Sequence, residues 1–497
     1  MKKFFLFLAF IISIINANAQ SPTINSFSPS TGSVGTLVTI TGTNLGSPTA
    51  FSIGGVTAIV VSDTSIIASN KGDTLVGLVM PSATTGAVSI TTLSGTVTSS
   101  NNFTVTPTSY PSSQQGSKLV GTGAIGGAGQ GYSVSISADG NTAIVGGAAD
   151  DSGRGAEWVY IRSGGTWTQQ GNKLVGTGAV FIPKEYVYQG LSVSISADGN
   201  TAIVGGPNDN GYTGAAWVYT RTAGIWKQQG SKLVGTGATG TALQGTSVSI
   251  SADGNTAIIG GQGDNSAAGA AWVFTRSAGI WTQQGNKLVG TGAIGAARQG
   301  YSVSISADGN TAIVGGNMDD NNLGAAWIFT RSGGAWTQQG SKLVGTGYVF
   351  IGQFELQGQS VALSADGSTA TIGAPYDSGG VGAAWIFTRS AGTWAQQGGK
   401  LVGTGAVNTG GGAEQGQSVS LSADGNTAIV GGNDDNPVGA AWVFTRSGGT
   451  WTQQGNKLVG TGSVSIGGAG VGQGQSVSIS ADGNTVIVGG QWDNNTI

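Results

Sequence analysis

Hydrophobic positions along this chain recur with a period of two, but in two different settings. Between Pro22 and Val105 they form short β-branched runs, such as Leu37-Val38-Thr39-Ile40-Thr41 and Ala87-Val88-Ser89-Ile90-Thr91, separated by Gly, Ser, Asn and Asp turns. Turn signals every ~8–12 residues are the spacing of a β-sandwich. Thr106 to Ser113, with Pro107 and Pro111 among polar residues, adds no core and reads as a linker.

From Gln114 onward the alternation sits inside a repeat. The tetrapeptide Ser-Ala-Asp-Gly occurs seven times, with its aspartate at Asp139, Asp198, Asp253, Asp308, Asp366, Asp424 and Asp482. A long unit that holds several strands predicts a propeller blade. Four strands are predicted in the first unit: Ser133 to Ser137, Thr142 to Gly146, Ala156 to Arg162 and Trp167 to Val175. The first alternates serine with Val134 and Ile136, which puts apolar groups on one face and leaves small residues for the crowded axis. Asp-Gly between the first two strands is a strong hairpin signal, because both positions tolerate positive φ. Each aspartate therefore has a structural task already.

The third strand alternates Trp, an aromatic and Arg, as in Trp158/Tyr160/Arg162 and Trp272/Phe274/Arg276, and a second tryptophan follows at Trp167, Trp226, Trp281, Trp336, Trp394 and Trp451. This could form an aromatic platform for sugars. The favoured reading is structural: an aromatic in each blade packs on the next sheet with Arg over its ring, a cation–π contact of ~0.5–2 kcal/mol.

Two family resemblances follow. Pro22-Thr23-Ile24-Asn25-Ser26-Phe27-Ser28-Pro29, with Gly32, Gly35-Thr36, Gly42-Thr43-Asn44-Leu45-Gly46 and a closing Phe103-Thr104-Val105, resembles the IPT/TIG family of immunoglobulin-like domains. That implies a spacer or binding sandwich without catalytic residues. The segment from Gln114 resembles the FG-GAP repeats of the integrin-type β-propeller, in its bacterial form reading Ser-x-Asp-Gly-Asn-Thr-Ala-Ile-Val-Gly, then Gly-Ala-Ala-Trp-Val-Phe-Thr-Arg, then Trp-Thr-Gln-Gln. The name-giving Phe-Gly is replaced by Gln-Gly in all seven units, and Gly-Ala-Pro survives only at Gly373-Ala374-Pro375.

Composition removes most chemistry. The chain has no histidine and no cysteine, so Ser/His/Asp triads, thiol nucleophiles and zinc sites of the usual ligands are excluded. A formal charge of −3 argues against a nucleic-acid partner. Integrin-type repeats often hold calcium between strands one and two, but Ala138-Asp139-Gly140-Asn141 offers a single carboxylate, too few oxygens for the ion. No cofactor and no metal are expected. A second aspartate recurs at Asp150, Asp209, Asp264, Asp319, Asp377, Asp435 and Asp493, with strand two between it and the first, too far for an acid–base pair. It is expected to cap its own turn.

Lys2-Lys3, an apolar run from Phe4 to Ile15 and Ala17-Asn18-Ala19 follow the order of a secretory signal, with cleavage expected after Ala19. The apolar run is too short to span ~30 Å of hydrocarbon, and no later segment reaches the ~20 residues needed. The expected organisation is a signal at 1–19, an immunoglobulin-like domain at 20–106, a linker at 107–113 and a propeller at 114–497.

Residues a blade needs recur, so residues that do not recur are free for function. The variable insert runs from strand four to the next strand one. Two inserts are long and aromatic: one holds Phe181, Lys184, Glu185, Tyr186 and Tyr188, the other Tyr348, Phe350, Phe354 and Glu355. Three of the four glutamates, Glu185, Glu355 and Glu414, lie in inserts. Loops on one face of a rigid scaffold are where partners dock, and exposed aromatics are favoured anchors. The nine residues just named are the candidate partner-binding set; no catalytic residue is assigned.

The predicted fold is all-β, an immunoglobulin-like sandwich followed by a seven-bladed propeller. Seven Lys-Leu-Val-Gly segments (at Lys118, Lys173, Lys232, Lys287, Lys342, Lys400 and Lys457) accompany only six Trp-bearing third strands. The last blade is therefore shared between the two ends and lacks one strand, a gap better explained by a sequence continuing past Ile497 than by an exposed edge. Taken together, the sequence reads as a secreted or cell-surface, non-enzymatic binding or adhesion protein with an extracellular protein or glycan partner. The alternatives are a carbohydrate-active enzyme using carboxylates such as Glu185 and Glu355, and a purely structural matrix protein.

Overall fold

In the computed structural model the described residues are 20–63, 73–107, 110–180, 186–351, 354–407, 412–464 and 470–493. Residues 22–105 form a two-sheet sandwich. One sheet orders its strands Thr23–Ser28, Leu37–Thr43, Asp73–Leu78, Ile59–Asp63; the other orders Thr31–Gly32, Gly95–Val105, Gly86–Thr92, Ala50–Ile53, Val56–Thr57. Alternate residues Val38, Ile40, Leu75, Val88, Ile90 and Phe103 meet between the sheets, as the period-two pattern requires.

Six four-stranded antiparallel sheets and one two-stranded sheet follow. In the first blade the strands are Gln130–Ile136, Thr142–Gly147, Ala156–Ser163 and Thr166–Gln169, paired in sequence order. The outer strand is shorter than the predicted Trp167–Val175: it stops at Gln169, and Leu174 returns as an isolated bridge to Glu157. The second strand is buried at every position in all six complete blades. The core lies between consecutive sheets, where Ile203, Ala216 and Val218 of one blade pack on Val248, Ile259, Trp272 and Phe274 of the next.

The two tryptophans divide the work expected of one. The third-strand indoles, Trp158 to Trp442, are fully buried, and each donates its N–H to a threonine carbonyl of the preceding unit, as Trp272 does to Thr236 at 2.8 Å. The arginine instead stacks over the outer-strand tryptophan at 5.3–5.7 Å. The buried third-strand indoles offer no platform for a sugar.

The ring is closed. Ala138 N–H donates to the Ala197 carbonyl, Ala197 to Ala252, and so on through Ala307, Ala365, Ala423 and Ala481, whose N–H returns to Ala138 at 3.1 Å. Inner-strand serines add to the seam: Ser135 accepts from Ile195 N–H and Ser194 from Ile250 N–H. At the joint between chain ends, Gln114 accepts from Thr461 N–H at 2.6 Å and Lys118 pairs with Asp493 at 2.9 Å.

The sandwich lies against the hairpin end of the axis. Leu78, Met80 and Val61 pack with the ring of Ser-Ala-Asp-Gly alanines, and Leu78 borders an open cavity of about 220 Å³ lined by the inner strands. At Gly35, a Cβ would sit 2.2 Å from the Ala481 carbonyl carbon. This approach is possible only for glycine, and it fixes the sandwich on that end.

Candidate functional site

The second aspartate organises the opposite end. Asp264 is buried, accepts the Thr239 N–H at 2.7 Å and pairs with Lys287 at 2.6 Å. The same triad recurs in the other complete blades with Lys173–Asp150, Lys232–Asp209, Lys342–Asp319, Lys400–Asp377 and Lys457–Asp435. The expectation that these aspartates cap their own turns is corrected: each ties the start of an insert and the Lys-Leu-Val-Gly segment to the turn after strand two. The carboxylate is paired because a lone buried charge would be costly. The first aspartates do serve their turn, as Asp253 accepts from Ser251 Oγ and Asn255 N–H.

Each insert then enters the next blade through Gln-Gly. The glutamine amide bridges a backbone glycine of the preceding unit in both directions: Gln299 accepts from Gly290 N–H at 2.5 Å and donates to its carbonyl at 3.0 Å. Such a pairing needs a primary amide, which accounts for the invariant Gln.

On either side of this invariant pair stand positions that vary. The residue before it is Gly129, Tyr188, Leu243, Arg298, Leu356, Glu414 or Gly472, all at φ between 53° and 73°. Two glycines show that no side chain is needed there, yet five blades carry one in a conformation costing roughly 1–2 kcal/mol. The residue after it is Tyr132, Leu191, Thr246, Tyr301, Gln359, Gln417 or Gln475, all half-buried. These inner-strand positions ring the mouth opposite the sandwich.

Several of them are linked by hydrogen bonds. Gln359 donates to the Tyr301 hydroxyl at 3.1 Å and to Gln417 at 3.3 Å, and accepts from Asn317 at 2.7 Å. Asn433 donates to Gln475 at 2.9 Å. Asn317 Oδ1 and Asn433 Oδ1 are buried and have no partner among the described residues. Tyr186 and Tyr188 lie with ring centroids 5.5 Å apart. Burial, then the neighbouring phenols, push up the hydroxyl pKa of Tyr132 (beside Tyr301 and Tyr188) and of Tyr188 (beside Tyr186 and Tyr212). Tyr376 is raised by burial and then by Glu414, and Glu414 is raised by burial and then by Asp434. The phenols stay protonated, each able to donate and accept.

The residues expected to bind a partner divide three ways. Tyr186, at 46% exposure, Tyr348, Phe350, at 51%, and Phe354 are exposed on the insert side, and Tyr188 is half-buried among the tyrosines. Phe181, Lys184 and Glu185 lie outside the described residues. Glu355 is corrected: it is fully buried, with its carboxyl pushed up to about 7 by burial and by the Asp377 carboxylate, against the opposing pull of Lys400. It cannot meet a partner at the surface. The mouth residues Tyr132 and Tyr301 were missed, although a signal existed, since the position after Gln-Gly varies within an otherwise repeating strand. Among the described residues no group of three His, Cys, Asp or Glu could hold a metal, and no helix is long and apolar enough to cross a membrane.

Residues 22–110 match the family model of the IPT/TIG domain. No curated protein sequence matches the chain. Among solved structures it is similar to hydrazine synthase of Kuenenia stuttgartiensis, with 13% identity, TM-score 0.45, and 76% of this chain and 96% of that one covered. It is also similar to the periplasmic gluconolactonase of Pseudomonas aeruginosa, with 16% identity, TM-score 0.44, and 67% and 86% covered.

Proposed function

We propose that this is an exported, non-enzymatic binding protein whose propeller of FG-GAP-like repeats presents its open mouth to an extracellular protein or glycan, with the IPT/TIG domain seated on the opposite end. One observation carries the reading: the hairpin end is uniform and covered by the sandwich, while the non-repeating tyrosines and amides collect at the other end. Tyrosine supplies large contact area with a polar tip and dominates binding surfaces. Export follows from the N-terminal pattern of Lys2-Lys3, apolar run and Ala17-Asn18-Ala19.

Glycan and protein arrays probed with the purified chain, run beside hydrolysis assays on the same preparation, test this. Binding is expected, and replacing Tyr132 and Tyr301 with alanine should abolish it while the melting temperature stays within a few degrees. A second reading is favoured by Glu414, an insert carboxylate at the mouth whose carboxyl is raised by burial and then by Asp434, as suits a general acid. Turnover lost in Glu414→Gln would establish that reading and end the first. Silence in both assays would favour a structural role.

A further inference from the structure

The seventh blade is a two-stranded sheet, Gln473–Ile479 and Val486–Gly490. Its second strand differs from its six counterparts: they are buried throughout, whereas Val486, Ile487 and Val488 are half-exposed. Beside it is a cavity of about 690 Å³, walled on the far side by residues 110–120. Those residues occupy the outer position of this blade, since Gln115 accepts from Arg162 as Gln170, just past the outer strand of the first blade, accepts from Arg221. The cavity is the place of a third strand.

The six complete blades show what such a strand would meet, and the corresponding receptors are present in the seventh. A Cβ on Gly121, Gly176, Gly235, Gly290, Gly345 or Gly403 would strike the buried indole at 2.1–2.4 Å, whereas at Gly460 the nearest neighbour is the Gln473 side chain at 3.2 Å. The Thr461 carbonyl corresponds to Thr122 and Thr236, which accept the indole N–H elsewhere. The third-strand arginine of a complete blade bonds an asparagine, a glutamine and a threonine, as Arg446 does with Asn426, Gln397 and Thr369. The corresponding trio here is Asn484, Gln454 and Thr427. Asn484 instead accepts from Thr485, and Gln454 folds back onto Thr452.

We propose that this cavity is a strand-acceptor site. It takes an extended peptide of the pattern Ala-Ala-Trp-Val/Ile-Phe/Tyr-Thr-Arg, antiparallel to Val486–Gly490, with the tryptophan opposite Val488 over Gly460 and the arginine on Asn484, Gln454 and Thr427. Main-chain bonds would give affinity and the two side-chain sockets specificity. The occupant is an extended peptide that carries this pattern. A second copy is a poor donor, because its six matching strands have their tryptophans fully buried in their own blades.

The test is titration of the full chain with the peptide Gly-Ala-Ala-Trp-Val-Phe-Thr-Arg-Ser, followed by calorimetry and thermal denaturation. Saturable one-to-one binding and a rise in melting temperature are expected. A Trp→Ala peptide should bind at least tenfold more weakly, and an Arg→Ala peptide should also lose affinity. In the protein, Gly460→Leu should plug the socket, removing binding without lowering the melting temperature; because the peptide variants leave the protein untouched, a misfolded Gly460→Leu would not obscure the result. No binding, equal binding of the Trp→Ala peptide, or concentration-dependent dimers that the peptide cannot dissociate would overturn the proposal.

Discussion

The two ends of the propeller are built from the same seven repeats and have opposite characters. At the hairpin end, Ser-Ala-Asp-Gly is the same in every unit, the alanines bond head to tail around the axis, and the sandwich covers them. At the insert end, the invariant Gln-Gly is bracketed by positions that vary between blades. Repetition marks what the ring needs to close, and variation marks what it can spare. The difference predicts that substitutions at repeating positions act on stability and those at varying positions on binding.

The largest effect should come from the interior that both ends share. Trp272→Ala removes a fully buried indole and its bond to Thr236, and should cost about 4 kcal/mol in chemical denaturation. Asp264→Ala leaves Lys287 without its partner and frees the Thr239 N–H, a loss of about 3 kcal/mol by the same measurement. A value near zero for either would break the equation of repetition with stability.

Glu157 sharpens the comparison as an exception inside a repeating strand. It stands where Ala216, Ala271, Ala326, Ala384 and Ala441 stand in the other blades, is fully buried, and its carboxylate has no hydrogen-bond partner among the described residues. Burial pushes its carboxyl up to about 8, offset only in part by the neighbouring Tyr219 hydroxyl. Between the ordinary carboxylate value and 8 the folded protein holds a proton that the unfolded chain has released, so stability falls as pH rises through that window. Glu157→Ala should therefore be more stable than the parent by a few kcal/mol near pH 9, and the gap should close toward pH 4. Thermal melts across that range test it, and a gap independent of pH would show that packing, not charge, separates the two. The smallest effect is expected at the varying end, where Arg298→Gly relieves a left-handed backbone and should gain about 1 kcal/mol.

Most of the strand plan was legible because its signals are local. Asp-Gly turns, alternating serines and the Trp-aromatic-Arg stripe each report on neighbours a few residues away, and the blades follow them. The ion pairs were not legible, since Asp264 and Lys287 are separated by a whole strand and its return. The mouth was legible in part: inserts were recognised as variable, but the direction in which Tyr132 and Tyr301 point depends on ring closure, which only the assembled sheets show. Glu355 misled for the same reason. Its insert is surface-exposed at Phe350 and Phe354, and the chain turns inward one residue later.

The joint at the seventh blade has a mechanical consequence. The Gln114–Thr461 and Lys118–Asp493 contacts clasp the segment that enters the ring to its seventh blade. Tension applied between residues 114–118 and the seventh blade would load that clasp first, and the six complete sheets would carry force only after it had slipped.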